Sequence, residues 1–228
     1  MFDVTILTVI PELKKDDFDA LLCHVSPEKR ERIGKFRFFR DARNCLLGDI
    51  LARTVICRAT GLNGKQLEFF TNAFGKPFIA DNPYIHFNIS HAGCYVACVI
   101  SDEPVGIDIE LTESPDMQVA KRFFAPDEIA YIANDDSAYR FYEVWTKKES
   151  RIKWEGKGLH KPLQSFSVFE ENEPRRAVYH KVLENREVVC HVCSAKLKPP
   201  TVRTMNTQAF INDEILTVFL KYDTLIAD

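Results

Sequence analysis

Two carboxylates, Asp108 and Glu110, stand two apart in Val105-Gly106-Ile107-Asp108-Ile109-Glu110. Apolar residues alternate here with Gly, Asp and Glu, the pattern of a half-buried strand with one polar face. Residues two apart on a strand project from the same face. Like charges there repel, so something must offset them. A hard divalent cation such as Mg²⁺ does so, since it takes one or two carboxylates together with water and phosphate oxygens. Lys or Arg partners on a solvated edge strand would do so as well. A second set lies in Trp145-Thr146-Lys147-Lys148-Glu149-Ser150-Arg151-Ile152-Lys153. Glu149 and Lys153 are four apart and share a helix face, with Lys148 and Arg151 close by. A carboxylate among cations suits a site for metal and phosphate together, and it also suits an ordinary ion pair on a solvated helix. In Phe87-Asn88-Ile89-Ser90-His91-Ala92-Gly93, alternation sets Asn88 and Ser90 opposite Phe87 and Ile89. His91 then falls at a strand end, where an imidazole can meet phosphate or take a proton. Lys76 sits in Gly75-Lys76-Pro77, a turn fixed by Gly and Pro, and is either a phosphate ligand or a surface residue. Lys29, Arg30, Arg32, Lys35, Arg37, Arg40 and Arg43 make a basic stretch interleaved with Phe36, Phe38 and Phe39. That stretch reads as a solvated face or as an anion site.

The elements that must carry these residues are mixed. Residues 2–10 alternate as a strand. Ser26 and Pro27 are a helix start, with Ser as N-cap and Pro at the first helical position. From Asp41 to Thr60, Leu46, Leu47, Ile50, Leu51 and Val55 recur at helical spacing, and Gly61 is the stop. Residues 66–70 and 84–89 read as strands, and Cys94 to Ile100 as a strand buried on both faces. Pro126 to Ala133 and Asp135 to Trp154 read as helices, the second ended by Gly156 and Gly158. Ser165–Phe169, 187–193 and 208–220 carry strand pattern. This order lacks the regular alternation of a doubly wound sheet and predicts an α+β fold, with a boundary near residue 105 that divides the chain almost in half.

Composition narrows the classes. The 228 residues are 46% hydrophobic and 28% charged, with a net charge of −3. That is globular composition, long enough to bury a core without disulfides, and it argues against a bulk nucleic-acid binder. The mean hydropathy of −0.19 and the lack of any apolar run near 18 residues argue against a membrane span. Met1–Ile10 has no basic leader or cleavage site. Seven scattered cysteines then suggest free thiols in a reducing cytoplasm. Cys190 and Cys193 form a CxxC, but on a strand they face opposite ways, and no second pair completes a zinc site.

Taken in order and spacing, Gly75-Lys76-Pro77, Phe87 to His91, Gly106 to Glu110, Trp145 to Ser150 with Lys153, and Gly156-Lys157-Gly158 resemble the 4′-phosphopantetheinyl transferases. The similarity is to the surfactin-synthetase-activating (Sfp) type rather than to the short trimeric holo-acyl-carrier-protein synthases. Ser26 to Arg30, Ala120 to Phe124 and Pro162 to Val168 share it. The resemblance implies a pseudo-dimer of two similar α/β halves, residues 1–105 and 106–228, with coenzyme A in the cleft between them. It implies a cytoplasmic monomer whose partners are coenzyme A and an acyl- or peptidyl-carrier protein, with no nucleic acid and no membrane. A carrier serine would attack the β-phosphate of coenzyme A with Mg²⁺ as cofactor, releasing 3′,5′-adenosine bisphosphate. A non-catalytic module that binds coenzyme A or a carrier is the competing reading, but it would have no use for three acids.

The resemblance also implies roles. Asp108, Glu110 and Glu149 would hold the metal, Asp108 at the edge of the coenzyme A site, and Glu149 would be general base. Lys148 and Lys153 would hold pyrophosphate oxygens, and Lys153 and His91 would belong to the catalytic set. Ser90 and His91 would contact phosphates. Lys76 would sit near the adenine or its 3′-phosphate, and Lys29 and Arg32 at the 3′-phosphate itself. Many relatives carry an arginine where Asn44 stands here, which leaves the adjacent Arg43 as the candidate for that contact.

Overall fold

A computed structural model describes residues 1–10, 12–62, 64, 67–79, 81–134, 138–158, 161–170, 177–185 and 187–212. The first half opens with strand β1 (Phe2–Thr8), followed by helices α1 (Lys15–Leu22), α2 (Pro27–Gly34) and α3 (Phe39–Thr60). The Ser26 hydroxyl accepts the Lys29 backbone N–H at 3.2 Å and caps α2. α3 is buried at every position from Ala42 to Cys57 and ends on Gly61 with φ 75°, a left-handed turn that glycine adopts without strain. A small hairpin, β2 (Phe69–Thr71) and β3 (Pro77–Ile79), precedes a longer one, β4 (His86–Ala92) and β5 (Tyr95–Ser101).

The second half repeats the plan. β6 (Val105–Leu111) is followed by α4 (Met117–Phe123), α5 (Pro126–Ala133) and the long α6 (Ala138–Glu155). The hairpin β7 (Val178–Glu184) and β8 (Val188–Ser194) closes it. In each half the opening strand pairs antiparallel with the second strand of the closing hairpin, β1 with β5 and β6 with β8. The sheets therefore run β4-β5-β1 and β7-β8-β6, and β9 (Thr201–Asn206) extends the first by pairing parallel to β1. This is the pseudo-dimer of two α/β halves that the motifs imply, with the C-terminal strand returning to the first sheet.

The apolar pattern explains the layering. Val4, Ile6, Ala97 and Val99 of the first sheet share a core with Val105, Ile107, Ile109, Val188, Cys190 and Val192 of the second. The opposite face of the first sheet is covered by α3, through Leu46, Leu47, Ile50 and Leu51. α6 covers the second sheet. Alternation along β6 then turns Gly106, Asp108 and Glu110 away from the shared core and toward α6. Cys190 and Cys193 face opposite ways as expected, both buried as free thiols.

Several sequence expectations need correction. Ser165–Phe169 is not a strand: Leu163–Ser165 is a 3-10 turn and the residues after it are irregular. The carbonyls of Leu163 and Phe166 go to a lysine ammonium instead of a ladder. Strand pattern at 208–220 gives way to a helical segment, Thr207–Ala209, because the Asn206 side chain caps the Ala209 N–H at 2.8 Å. The part of that span beyond 212 lies outside the described residues, as do 135–137 at the start of the expected long helix. β7 and β9 carry too little alternation to be legible beforehand.

Candidate active site

Where the two sheets abut, side chains do the work of a ladder. The Asn88 Oδ1 on β4 accepts the Ile107 N–H of β6 at 2.9 Å, and the Ser90 Oγ accepts the Ile109 N–H at 3.4 Å. Asp108 lies between those two anchored residues, so β4 fixes the strand that presents it. α6 presses on the same strand from the other side. At Gly106 an added Cβ would collide with the Ser150 carbonyl oxygen and the Trp154 nitrogen. Glycine there lets the helix approach closely enough for Glu149 and Lys153 to reach the acids.

The contacts follow. Lys153 Nζ lies 2.6 Å from Asp108 Oδ1 and 3.1 Å from Ser90 Oγ, and the Ser90 hydroxyl donates to the same Asp108 oxygen at 3.0 Å. The second oxygen, Asp108 Oδ2, is buried and has no hydrogen-bond partner among the described residues. The Trp145 indole N–H donates to Glu110 Oε1 at 3.3 Å. Ser90, His91, Asp108, Glu110, Glu149 and Lys153 all line one open cavity of about 600 Å³. Its other wall is built from Arg122, Phe123, Trp145 and the 161–164 segment. Both halves of the chain contribute.

Electrostatics follows from this crowding. Burial, then the Asp108 charge, pushes Glu110 and Glu149 each up to about 7. Burial works against the Lys153 ammonium, but Asp108, Glu149 and Glu110 outweigh it and hold its pKa above the usual lysine range. Desolvation by the cleft walls, then the Lys153 charge, lowers the His91 pKa, so the imidazole is neutral at pH 7.

The three acids line one cleft without standing as a finished ligand set. Among the described residues, no three His, Cys, Asp or Glu side chains form a group ready to hold a metal ion. One Asp108 oxygen is taken by the Lys153 ammonium. The donor chemistry nevertheless fits a hard cation. The acids are three carboxylates held by opposed elements, and one of them has a desolvated oxygen with nothing to accept.

Other assigned side chains are engaged away from the cleft in this structure. Lys148 is fully buried and does not line the cleft. Its three N–H groups go to Leu163 O at 2.7 Å, Phe166 O at 2.7 Å and Glu128 Oε2 at 2.8 Å. It lies about 100° around α6 from Glu149, the step between adjacent helical residues, and that carries it out of the cleft and into the core. Arg43 is also buried, spent on Asn44 Oδ1, Glu12 Oε1 and the Gly93 carbonyl. With Asn44, it clamps the turn after His91 and leaves no fork for a phosphate. Lys76 Nζ donates to Val105 O at 2.8 Å and Trp154 O at 3.3 Å, tying the β2–β3 hairpin to the start of β6 and the end of α6. Burial lowers its pKa to about 8.

Lys29 lies 3.7 Å from Asp49 and Arg32 is exposed on α2. Neither lines the cavity, but the Lys29 charge reaches His91. Sequence reasoning gave no role to Asn88, Trp145, Arg122 or Lys161. The first two stand inside the motifs and were legible as residue types. The last two come to the cleft through α4 and the loop after α6, which no local spacing reveals.

Known proteins match over the same extent. The family model described as "4′-phosphopantetheinyl transferase, N-terminal" matches residues 12–103, and that described as "4′-phosphopantetheinyl transferase superfamily" matches residues 104–214. The chain is 44% identical over 159 residues to 4′-phosphopantetheinyl transferase Sfp of Bacillus subtilis, covering 68% of this chain and 71% of the relative. It is 38% identical over 210 residues to 4′-phosphopantetheinyl transferase psf-1 of Bacillus pumilus, covering 89% and 88%. A human relative, L-aminoadipate-semialdehyde dehydrogenase-phosphopantetheinyl transferase, is 35% identical over 159 residues.

Proposed function

The chain belongs to the 4′-phosphopantetheinyl transferase family, and from that premise we propose that its cleft transfers phosphopantetheine from coenzyme A to a serine of an apo acyl- or peptidyl-carrier protein. The observation that carries the reading is the convergence of Ser90, His91, Asp108, Glu110, Glu149 and Lys153 from both halves on one cavity. Coenzyme A brings a diphosphate, which needs positive charge around it and a dry, fixed approach for the nucleophile.

In the proposed reaction the serine oxygen forms a bond to the β-phosphorus. The bond from that phosphorus to the bridging oxygen breaks, and 3′,5′-adenosine bisphosphate leaves with the electron pair. Asp108, Glu110 and Glu149 would hold Mg²⁺. When bound, it would neutralise charge on the diphosphate and on the leaving oxygen. Glu149, which lines the cleft beside Lys153, is the carboxylate that would take the serine proton. The Lys153 ammonium, cationic at that pH, would turn from Asp108 toward a phosphate oxygen. Neutral His91 and the Ser90 hydroxyl would donate to phosphate oxygens at the cleft edge. Lys29 and Arg32 remain the candidates for the 3′-phosphate, since Arg43 and Lys76 are committed elsewhere.

The reading includes a monomer, because the second half supplies within one chain what a partner subunit would supply. It also includes the cytoplasm, where seven free thiols stay reduced. The test is an intact-mass measurement on an apo carrier incubated with this protein, coenzyme A and Mg²⁺. One phosphopantetheine added to the carrier is the expected result. An unmodified carrier with coenzyme A intact would leave a binding module, and hydrolysed coenzyme A would leave a hydrolase.

A further inference from the structure

Trp145 stands in the cleft wall with its indole N–H on Glu110 Oε1. The ring has little freedom to be anywhere else. It stacks on Phe141 with centroids 6.4 Å apart and planes at 11°, and it meets Phe123 edge-on at 6.4 Å and Phe124 at 6.3 Å. Phe124 and Phe141 are themselves buried in the core of the second half. A donor held this way is fixed in direction as well as in place. An aromatic stack alone would not need a polar edge.

Glu110 needs such a partner. It is the last carboxylate of the acidic strand face, half-buried beside Asp108 and near Glu149. Its side chain has more rotatable bonds than that of Asp108, and an unheld Glu would swing away from two like charges. A hydrogen bond to one carboxylate oxygen fixes the rotamer and leaves the other oxygen to face the cleft. Partners of this kind orient carboxylate ligands, and losing them commonly weakens metal binding by about 10- to 100-fold.

We propose that Trp145 is a positioning residue that holds Glu110 by one oxygen so that the other is presented to the divalent cation. The inference rests on the reading that Glu110 is a metal ligand, and the experiment separates the two. Mn²⁺ is titrated into the coenzyme-free protein and the free ion is counted by electron paramagnetic resonance, for wild type and for Trp145→Phe. The variant keeps an aromatic ring against Phe141 and removes the N–H together with part of the indole's volume.

Wild type is expected to bind Mn²⁺, and Trp145→Phe to bind it about 10-fold more weakly. The apparent KM for Mg²⁺ should rise by the same factor, and the KM for coenzyme A should stay level. A wild type that binds no Mn²⁺ would sink the metal reading itself. A wild type that binds, with Trp145→Phe equal to it within about twofold, would overturn the role of Trp145 alone. Should Trp145→Phe fail to fold, Trp154→Phe leaves Trp145 as the one indole, since the chain has two. Its fluorescence should then change with Mn²⁺ along the resonance binding curve, and no response at saturation would equally overturn the proposal.

Discussion

Replacing Lys148 by methionine tests whether this lysine serves the fold or the substrate. Its ammonium is fully buried and its three donors are all used, on Leu163 O, Phe166 O and Glu128 Oε2. Glu128 is fully buried too and accepts the N–H groups of Ala125 and Val168. This pair therefore knots α5, α6 and the 163–168 segment together. Methionine keeps the aliphatic volume and removes the charge, leaving a buried carboxylate and two carbonyls without their donor. Breaking a buried pair from one side costs about 3–5 kcal/mol. For a chain of this size each kcal/mol lowers Tm by about 2–4 °C, so the expected drop is roughly 6–20 °C.

Calorimetry on Lys148→Met measures it directly. Adding Glu128→Gln removes the stranded charge and should recover part of the loss, the sign of coupling in a double-mutant cycle. Well below the melting point, KM for coenzyme A should stay within about threefold of wild type, because the ammonium touches no substrate. A Tm within about 2 °C of wild type together with a raised KM would refute the reasoning and return Lys148 to the diphosphate.

Glu110 and Glu149 sit at about 7 in the metal-free protein, above their ordinary value of 4.5. A carboxyl raised on folding adds stability below its unfolded pKa and loses it as pH rises through the folded one. The metal-free protein should therefore lose stability between about 4.5 and 7, and Mg²⁺ should raise Tm more above pH 7 than below it. Near pH 7, Mg²⁺ binding should release about one proton per ion, seen by calorimetry in two buffers of different ionisation heat, and no proton release would contradict the assigned shifts. Gly106→Ala should cost about 1–3 kcal/mol or more by overpacking, and kcat should fall with it, because α6 must move away with Glu149 and Lys153. An alanine variant with normal kcat would show that α6 has slack.

Much of this was written in local spacing. Asp108 and Glu110 on one strand face, Glu149 and Lys153 on one helix face, and His91 at a strand end are consequences of periods of two and of 3.6. The repeated half shows no internal repeat in the sequence itself and was implied only by the family resemblance. What spacing could not reveal is rotation. Lys148 and Glu149 are neighbours in sequence, yet the rotation of about 100° between them on α6 sends one into the core and the other into the cleft. Arg43 and Lys76 read as free cations because nothing local announces the Gly93, Val105 and Trp154 carbonyls that take them. β9 was hidden for a similar reason, since its pairing with β1 spans nearly the whole chain.

The most direct test of the acid cleft is a crystal grown with coenzyme A and Mn²⁺ and measured at the manganese edge. One anomalous peak is expected among Asp108, Glu110 and Glu149, with the Lys153 ammonium turned from Asp108 to a phosphate oxygen. Coenzyme A bound in the cleft with no peak between those carboxylates, and Lys153 still on Asp108, would contradict the account.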